Sequence, residues 1–260
     1  MKRFFSIYLV CIKTAIIQVM AYRVNSLLTA AINLVSNLLF PLVTILIYQS
    51  GAAFPGWSLW EVLLMQSIFT VAVGLSNMML VDVFWGTSTS VQEGTFEVVL
   101  LKPMNPLFFF IATHFAPESL GLLVGGGVMF AVAVAHTGIA SLLAVLQFTL
   151  LFFAGFAVMA GLHIMMAATS FQWVGNSRIP EIFDSITTFG KYPATIFPSV
   201  IQAAVTFVIP VSLVGFFPAQ AILGKAEAKT LVAVVPCGLF LWFAVWLYGR
   251  MIKQYKGAGG

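Results

Sequence analysis

The sequence predicts an all-α integral membrane protein with six transmembrane helices, and three features of its composition lead to that fold class. Hydrophobic residues make up 61% of the 260 residues, charged residues make up only 8%, and the mean hydropathy is +1.04. Soluble domains carry about 25% charged residues, so this chain lacks the charge needed to cover a surface in water. Its apolar residues instead fall into runs of about 20 residues, the length of a helix that crosses a bilayer.

The first segment, residues 1–23, is expected to form a helix that lies in the membrane interface. Lys2, Ser6 and Lys13 share one helical face, and apolar residues occupy most of the remaining surface. The six predicted spans follow in order at residues 27–48, 59–81, 107–134, 142–168, 196–217 and 231–248.

A second amphipathic segment lies between the fourth and fifth predicted spans, at residues 180–189. Pro180 suits the first turn of a helix and Gly190 suits a C-terminal stop, while Glu181 and Asp184 share the face opposite to the apolar residues. We predict a helix on the cytoplasmic surface, which either connects two spans or docks a partner. The fifth span contains or adjoins four prolines, so an irregular helix is expected there.

The distribution of Lys and Arg predicts that both termini lie in the cytoplasm, because cytoplasmic loops are enriched in these residues. In that orientation ten basic residues are cytoplasmic, whereas only Lys225 and Lys229 are external. The ten are Lys2, Arg3, Lys13, Arg23, Lys102, Arg178, Lys191, Arg250, Lys253 and Lys256. Since the basic residues are scattered rather than clustered, nucleic-acid binding is not expected.

The sequence contains no recognisable catalytic, nucleotide-binding or metal-binding motif. The fragment nearest to a phosphate-binding loop, Gly224-Lys225-Ala226, lacks the hydroxyl group that would hold magnesium. The three histidines of the chain are too dispersed for a zinc motif. We therefore expect no enzyme activity, metal ion or cofactor in this chain.

Polar residues inside the predicted spans are candidates for a substrate path. Glu118 falls near the middle of the third predicted span, and His114 lies four residues earlier, so the two side chains share a helix face. Pro117 between them predicts a kink. Such a pair either lines a substrate path or relays protons, or it has a structural role, and the same alternatives hold for His163 in the fourth span.

The most polar connection joins the second and third predicted spans, on the side predicted to be cytoplasmic. It reads Gln92-Glu93-Gly94-Thr95-Phe96-Glu97 and is followed by Val98-Val99-Leu100-Leu101-Lys102-Pro103. One interpretation is a contact for another protein, and the other is a solvated turn.

This connection resembles the Gly-x-(hydrophobic)-x-x-x-Leu-Leu-(Arg/Lys)-Pro stretch in the permease subunits of type-2 ATP-binding-cassette exporters. The later motifs Tyr192-Pro193-x-x-Ile196-Phe197-Pro198, Phe207-Val208-Ile209-Pro210 and Phe217-Pro218-Ala219 resemble an uncharacterised bacterial branch of that family. The resemblance covers nearly the whole chain.

The resemblance implies a permease subunit in the bacterial cytoplasmic membrane that moves an amphipathic, drug-like or lipid-like substrate out of the cell. It implies a homodimer or a heterodimer with a related permease, and a separate cytoplasmic subunit that holds ATP and magnesium. It also implies a coupling helix at residues 90–97 that fits a groove of the ATPase, with Phe96 in an apolar pocket. The implied contact residues are Gln92, Glu93, Gly94, Thr95, Phe96 and Glu97.

Two other functions are compatible with a polar patch in a membrane protein. A proton-coupled secondary transporter would use His114 and Glu118 as a relay, and internal inverted repeats would support it, but none is evident in the sequence. An intramembrane enzyme that acts on lipids would require a cluster of polar residues at one depth, and the sequence does not place one.

Overall fold

The computed structural model describes residues 2–21, 23–113, 115–173, 175, 178–226 and 228–255, and within them the chain is helical, without strands. This confirms the predicted all-α fold. Eleven α-helices, numbered in chain order, are joined by short 3₁₀ and π turns. They are α1 (Lys2–Ala21), α2 (Arg23–Gln49), α3 (Leu59–Gln92), α4 (Phe96–Leu100), α5 (Pro106–Thr113), α6 (Leu120–Thr137), α7 (Leu142–Thr169), α8 (Arg178–Thr188), α9 (Ser199–Ala203), α10 (Phe216–Ile222) and α11 (Val234–Met251).

Five helical segments of the described chain are long and apolar enough to cross a membrane: Arg23–Gln49, Leu59–Gln92, Pro117–Thr137, Leu142–Thr169 and Thr230–Gln254. A bent pair, Ser199–Val208 and Val211–Ile222, counts as a sixth if it is taken as one span. We call the end of the bundle that carries residues 49–58 the upper end. The end that carries residues 93–105 is the lower end, which the loop charges predict to be cytoplasmic.

Helix α3 is the central scaffold of the bundle. It starts at a capping box, in which the Ser58 hydroxyl accepts from the Glu61 N–H and the Glu61 carboxylate accepts from the Ser58 N–H. Its 34 residues span about 51 Å at 1.5 Å per residue, whereas the hydrocarbon core of a bilayer is about 30 Å thick. A helix of this length reaches well beyond the membrane.

Small residues allow neighbouring helices to approach closely. A Cβ atom at Gly121 of α6 would overlap the Ala30 carbonyl oxygen of α2, and one at Gly155 of α7 would overlap the Leu213 carbonyl oxygen. Real Cβ atoms cannot occupy such positions, so glycine is required at both contacts. Close contact of this kind is the usual basis of helix packing in membranes.

The third crossing is broken where the sequence places Pro117. Helix α5 ends at Thr113, a 3₁₀ turn occupies Pro117–Ser119, and α6 begins at Leu120. The Ala116 N–H donates to the Met78 carbonyl of α3 (2.9 Å), which satisfies a donor that a continuous helix would have paired internally. The segment that crosses the membrane therefore starts at the turn, and Glu118 lies at its lower end rather than in the middle of the bilayer.

Helix α8 differs from the predicted surface helix at residues 180–189. Phe183 and Ile186 pack on the core cluster between α3 and α7, and the Gly190 backbone lies against the Phe69 ring. Further along the chain, the Thr195 hydroxyl accepts from the Trp57 indole N–H at the upper end (3.0 Å). The chain therefore passes from the lower to the upper end between residues 178 and 196, and we take this segment as the fifth crossing.

The predicted fifth span at residues 196–217 is consequently a re-entrant segment. Its two helical parts, Ser199–Val208 and Val211–Ile222, are bent by 76° around Pro210. The Ile222 carbonyl accepts from the Ala140 N–H at the upper end (3.2 Å), so this segment begins and ends on the same side. With this interpretation the described residues contain six crossings, and the lower end carries both α1 and the end of α11.

Candidate functional site

A sharp turn at the lower end of α3 reverses the chain direction. The Gly94 N–H donates to the Val91 carbonyl (3.3 Å) and the Thr95 N–H donates to the Ser90 carbonyl (2.9 Å), which is the Schellman pattern at a helix C-terminus. Gly94 has a φ of +70°, a left-handed conformation that favours glycine. Helix α4 follows directly. We call residues 92–101 the coupling tip.

The ring of Phe96 anchors the coupling tip to the body of the protein. Phe96 is fully buried, and its ring centroid lies 6.3 Å from that of Phe110, 5.0 Å from that of Phe171 and 5.2 Å from that of Tyr255. These partners come from α5, from the loop after α7 and from the C-terminal segment. The implied insertion of Phe96 into a pocket of another subunit is therefore incompatible with this structure, because the ring is enclosed by its own chain.

The outer surface of the coupling tip combines apolar and acidic side chains. Leu101 is 84% exposed and Val98 is 59% exposed, while Glu93 and Glu97 are exposed beside them. Exposed apolar side chains at the end of a helix that extends past the membrane are typical of a contact with another protein. The Lys102 ammonium lies 3.7 Å from the Phe109 ring centroid, where it holds the segment that follows the tip against α5.

A cavity of about 540 Å³ lies between α2, α3, α7 and α8, a volume within the range of about 300–1,000 Å³ that small-molecule sites occupy. Four aromatic rings form its apolar wall: Phe69, Phe84, Trp85 and Phe183. Its polar wall carries amides, hydroxyl, imidazole, carboxylates and an ammonium group. The polar residues are Asn33, Asn37, Asn77, His163, Glu181, Asp184, Thr187 and Lys191.

Charge in this cavity is arranged by depth along α8 and the turn that follows it. Glu181 lies near the lower end and forms an ion pair with Arg178 (3.3 Å), and both side chains are largely exposed. Asp184 is exposed one turn higher. Lys191 lies deepest, with its ammonium 5.3 Å from the Phe40 ring centroid and 5.7 Å from that of Phe69.

The whole sequence was compared with models of known protein families. A family model described as ABC-2 family transporter protein matches residues 7–259, nearly the whole chain. The chain belongs to the ABC-2 transporter family. Searches of curated proteins and of solved structures give no match. Membrane proteins of the ABC-2 family are in general non-enzymatic subunits that work with an ATP-binding-cassette partner, so the predicted resemblance is confirmed.

Of the three residues predicted to line a substrate path of this ABC-2 protein, the structure places His163 in the cavity wall. His163 is buried in the cavity wall, where its Nδ1 pairs with the Met159 carbonyl (2.8 Å). Glu118 is not part of that wall, and its backbone carbonyl accepts from the Asn33 amide (3.4 Å). His114 lies outside the described residues. The relay of His114 and Glu118 therefore stays a prediction.

Sequence reasoning missed the charged cavity residues of the ABC-2 protein because it placed α8 outside the membrane. Glu181, Asp184 and Lys191 recur on a helical face, which is equally typical of a surface helix and of a helix beside a polar cavity. A usable signal was present in the spans themselves. Asn33 and Asn37 are one turn apart on α2, and two amides on one face of a span indicate a polar neighbour.

Proposed function

We propose that this ABC-2 protein is the permease subunit of an ATP-driven exporter in the bacterial cytoplasmic membrane. It moves an amphipathic, drug-like or lipid-like substrate out of the cytoplasm, together with a second permease copy or a related permease. ATP and magnesium are held by a separate ATP-binding subunit at the lower end. The observation that carries this proposal is the coupling tip, which presents Leu101 and Val98 to the solvent at the end of an overlong helix.

The coupling tip has the chemistry of a docking surface. Leu101 and Val98 supply apolar area, whose burial stabilises a complex, and Glu93 and Glu97 supply a negative rim that favours a basic partner. In this proposal these four side chains contact the ATPase. Phe96 does not take part in the contact, since it faces inward.

The aromatic contacts of Phe96 provide the route from the coupling tip to the spans. The ring contacts Phe171 after α7, Tyr255 after α11, and Phe110 of α5. Helix α5 leads into the third crossing. Since packed cores shift as units rather than deform continuously, a push on the tip displaces these three elements together. ATP-driven closure of the partner then favours one arrangement of the spans over another.

Co-expression with an ATP-binding-cassette subunit from the same genome, followed by co-purification, tests the proposal. We expect Leu101→Asn to weaken assembly and to reduce ATP turnover by the complex. A matched control is Leu142→Asn, which changes an equally exposed leucine (79%) at the upper end and is expected to leave assembly unchanged. Equal assembly of the Leu101→Asn complex and the wild-type complex would show that the tip is not the docking surface.

A further inference from the structure

Lys191 is a charged side chain near the middle of the membrane. Its ammonium faces the rings of Phe40 and Phe69. Phe40 lies nine residues before the upper end of α2, and Phe69 lies ten residues after the upper end of α3. At 1.5 Å per residue both positions are about 14 Å below the upper helix ends, close to the midplane of a hydrocarbon core about 30 Å thick.

The protein supplies no counter-charge to this ammonium among the residues that the structure describes. The Lys191 ammonium contacts the faces of two aromatic rings. It forms no hydrogen bond or ion pair with a described side chain. Asp184, the nearest acidic residue along the chain, lies seven residues earlier, about two helical turns lower. A charged group in a membrane interior is costly without a partner, and such residues commonly serve substrate binding.

We propose that the cavity binds the acidic head group of an amphipathic molecule, a carboxylate or a phosphate, with the Lys191 ammonium as its counter-charge. The amides of Asn33 and Asn37 line the same cavity and supply additional polar contacts, and Val73 and Phe183 line it beside the apolar body. This proposal names the substrate class of the exporter and rests on that proposed function.

The depth of the charges decides between an acidic and a cationic ligand. Glu181 is exposed and already paired with Arg178, and Asp184 is exposed one turn higher, about two turns nearer the lower, water-facing end than Lys191. Water screens both carboxylates, whereas the same charge acts about four times more strongly at an effective dielectric constant of 20 than at one of 80. The deep ammonium therefore dominates recognition, and the outer carboxylates contribute little to it.

Binding of defined amphiphiles to the full-length protein in nanodiscs of zwitterionic lipid tests the proposal without an ATPase. The probes are radiolabelled dodecyl phosphate, dodecanoate and dodecyltrimethylammonium, with empty nanodiscs as the background. We expect saturable binding of at least one acidic probe and weaker binding of the cationic probe. The acidic probe that binds identifies the head group as phosphate or carboxylate.

Substitutions at Lys191 assign the binding to this side chain. Lys191→Met is expected to weaken binding of the acidic probe by about 10- to 100-fold, the range for loss of a charged hydrogen-bond partner, and Lys191→Arg is expected to restore much of it. Lys225→Met is the matched control, because Lys225 pairs with Glu61 at the upper end (2.6 Å), away from the cavity. It is expected to bind like the wild type.

Three outcomes would overturn the proposal. One is unchanged binding in Lys191→Met, which would leave the ammonium with a structural role on its two aromatic rings. Another is preferential binding of the cationic probe with loss in Asp184→Asn, which would make the cavity a cation site. The third is the absence of saturable binding of either acidic probe to the wild type. This third test uses only the wild type, so it remains valid if a Lys191 variant fails to fold. None of these outcomes bears on docking at the coupling tip, so the two proposals fail separately.

Discussion

The coupling tip and the cavity depart from ordinary burial in opposite directions. The tip exposes the apolar side chains of Leu101 and Val98 at the end of the molecule, whereas the cavity holds the Lys191 ammonium against two aromatic rings. Exposed apolar area is stabilised when a protein surface covers it, and a deep charge is stabilised when an opposite charge approaches it. The difference indicates that one region is suited to a protein partner and the other to a small acidic ligand.

The largest expected effect concerns the path of α8, because the cavity exists only if this helix enters the membrane. We expect Thr195→Cys and Thr95→Cys to be labelled from opposite sides by a membrane-impermeant maleimide, in a background with Cys11→Ser and Cys237→Ala. Thr195 is exposed and lies beside Trp57 at the upper end, while Thr95 is exposed at the coupling tip.

The same experiment discriminates between the path of α8 in the structure and the surface helix that the sequence predicts. If residues 180–189 lay on the cytoplasmic surface and the fifth span began at residue 196, both cysteines would be labelled from the same side. That result would remove α8 from the cavity wall and leave the coupling tip as the single candidate site. Intact and permeabilised cells provide the two conditions for labelling.

The next effect concerns the stability of the coupling tip. Because Phe96 is fully buried among three aromatic rings, Phe96→Ala is expected to lower the free energy of unfolding by about 3–5 kcal/mol. Leu101→Ala is the control on the exposed side of the same segment, with an expected change within about 0.5 kcal/mol. Denaturant titration in detergent measures both. Equal stability of Phe96→Ala and the wild type would place the ring outside the core and restore it as a docking residue.

A smaller effect is expected at the turn that forms the coupling tip. Gly94→Ala forces a side chain into a left-handed conformation with φ +70°, which costs roughly 1–2 kcal/mol for a residue with a Cβ atom. The cost arises from the backbone conformation of this one residue. Hydrogen exchange of the 90–101 segment should increase while exchange in the spans is unchanged. Uniform destabilisation of the spans would instead indicate that the turn is coupled to the whole bundle.

The sequence carried enough information for the fold class, because the thickness of a bilayer translates directly into the length of an apolar run. It could not separate a surface helix from the short crossing at residues 178–196. This crossing is built from the 11-residue α8 and two 3₁₀ turns, and its polar residues face a cavity rather than water. Length and periodicity, the two signals available, both favoured a surface helix.

The candidate site was predictable in its location but not in its orientation. The polar motif after α3 identified the coupling tip, yet the motif contains one aromatic residue, and no local pattern tells whether Phe96 faces inward or outward. Its direction is set by Phe171 and Tyr255, which are distant in sequence. In the same way, the depth of Lys191 depends on contacts with α2 and α3, which local sequence does not specify.

The smallest effect is expected from Tyr255, whose ring packs against Phe96. Burial raises the pKa of its hydroxyl, and the negative charge of Glu97 raises this pKa further. The pKa of the hydroxyl is therefore higher in the folded state than the value of about 10 in the unfolded state. The neutral hydroxyl contributes its full stability below about pH 10, and this contribution is lost as the pH rises through the folded-state pKa. Wild-type stability is therefore expected to fall above about pH 10.

Tyr255→Phe isolates this contribution, because it keeps the ring and removes a hydroxyl that has no hydrogen-bond partner among the described residues. At pH 7 the variant is expected to match the wild type within about 0.5 kcal/mol, and above about pH 10 it should be the more stable of the two. Thermal unfolding across this pH range measures the difference. A loss of more than about 1 kcal/mol at pH 7 would mean that the hydroxyl is hydrogen-bonded. The tip would then be held to the spans by a polar contact as well as by aromatic packing, and its contrast with the cavity would be weaker.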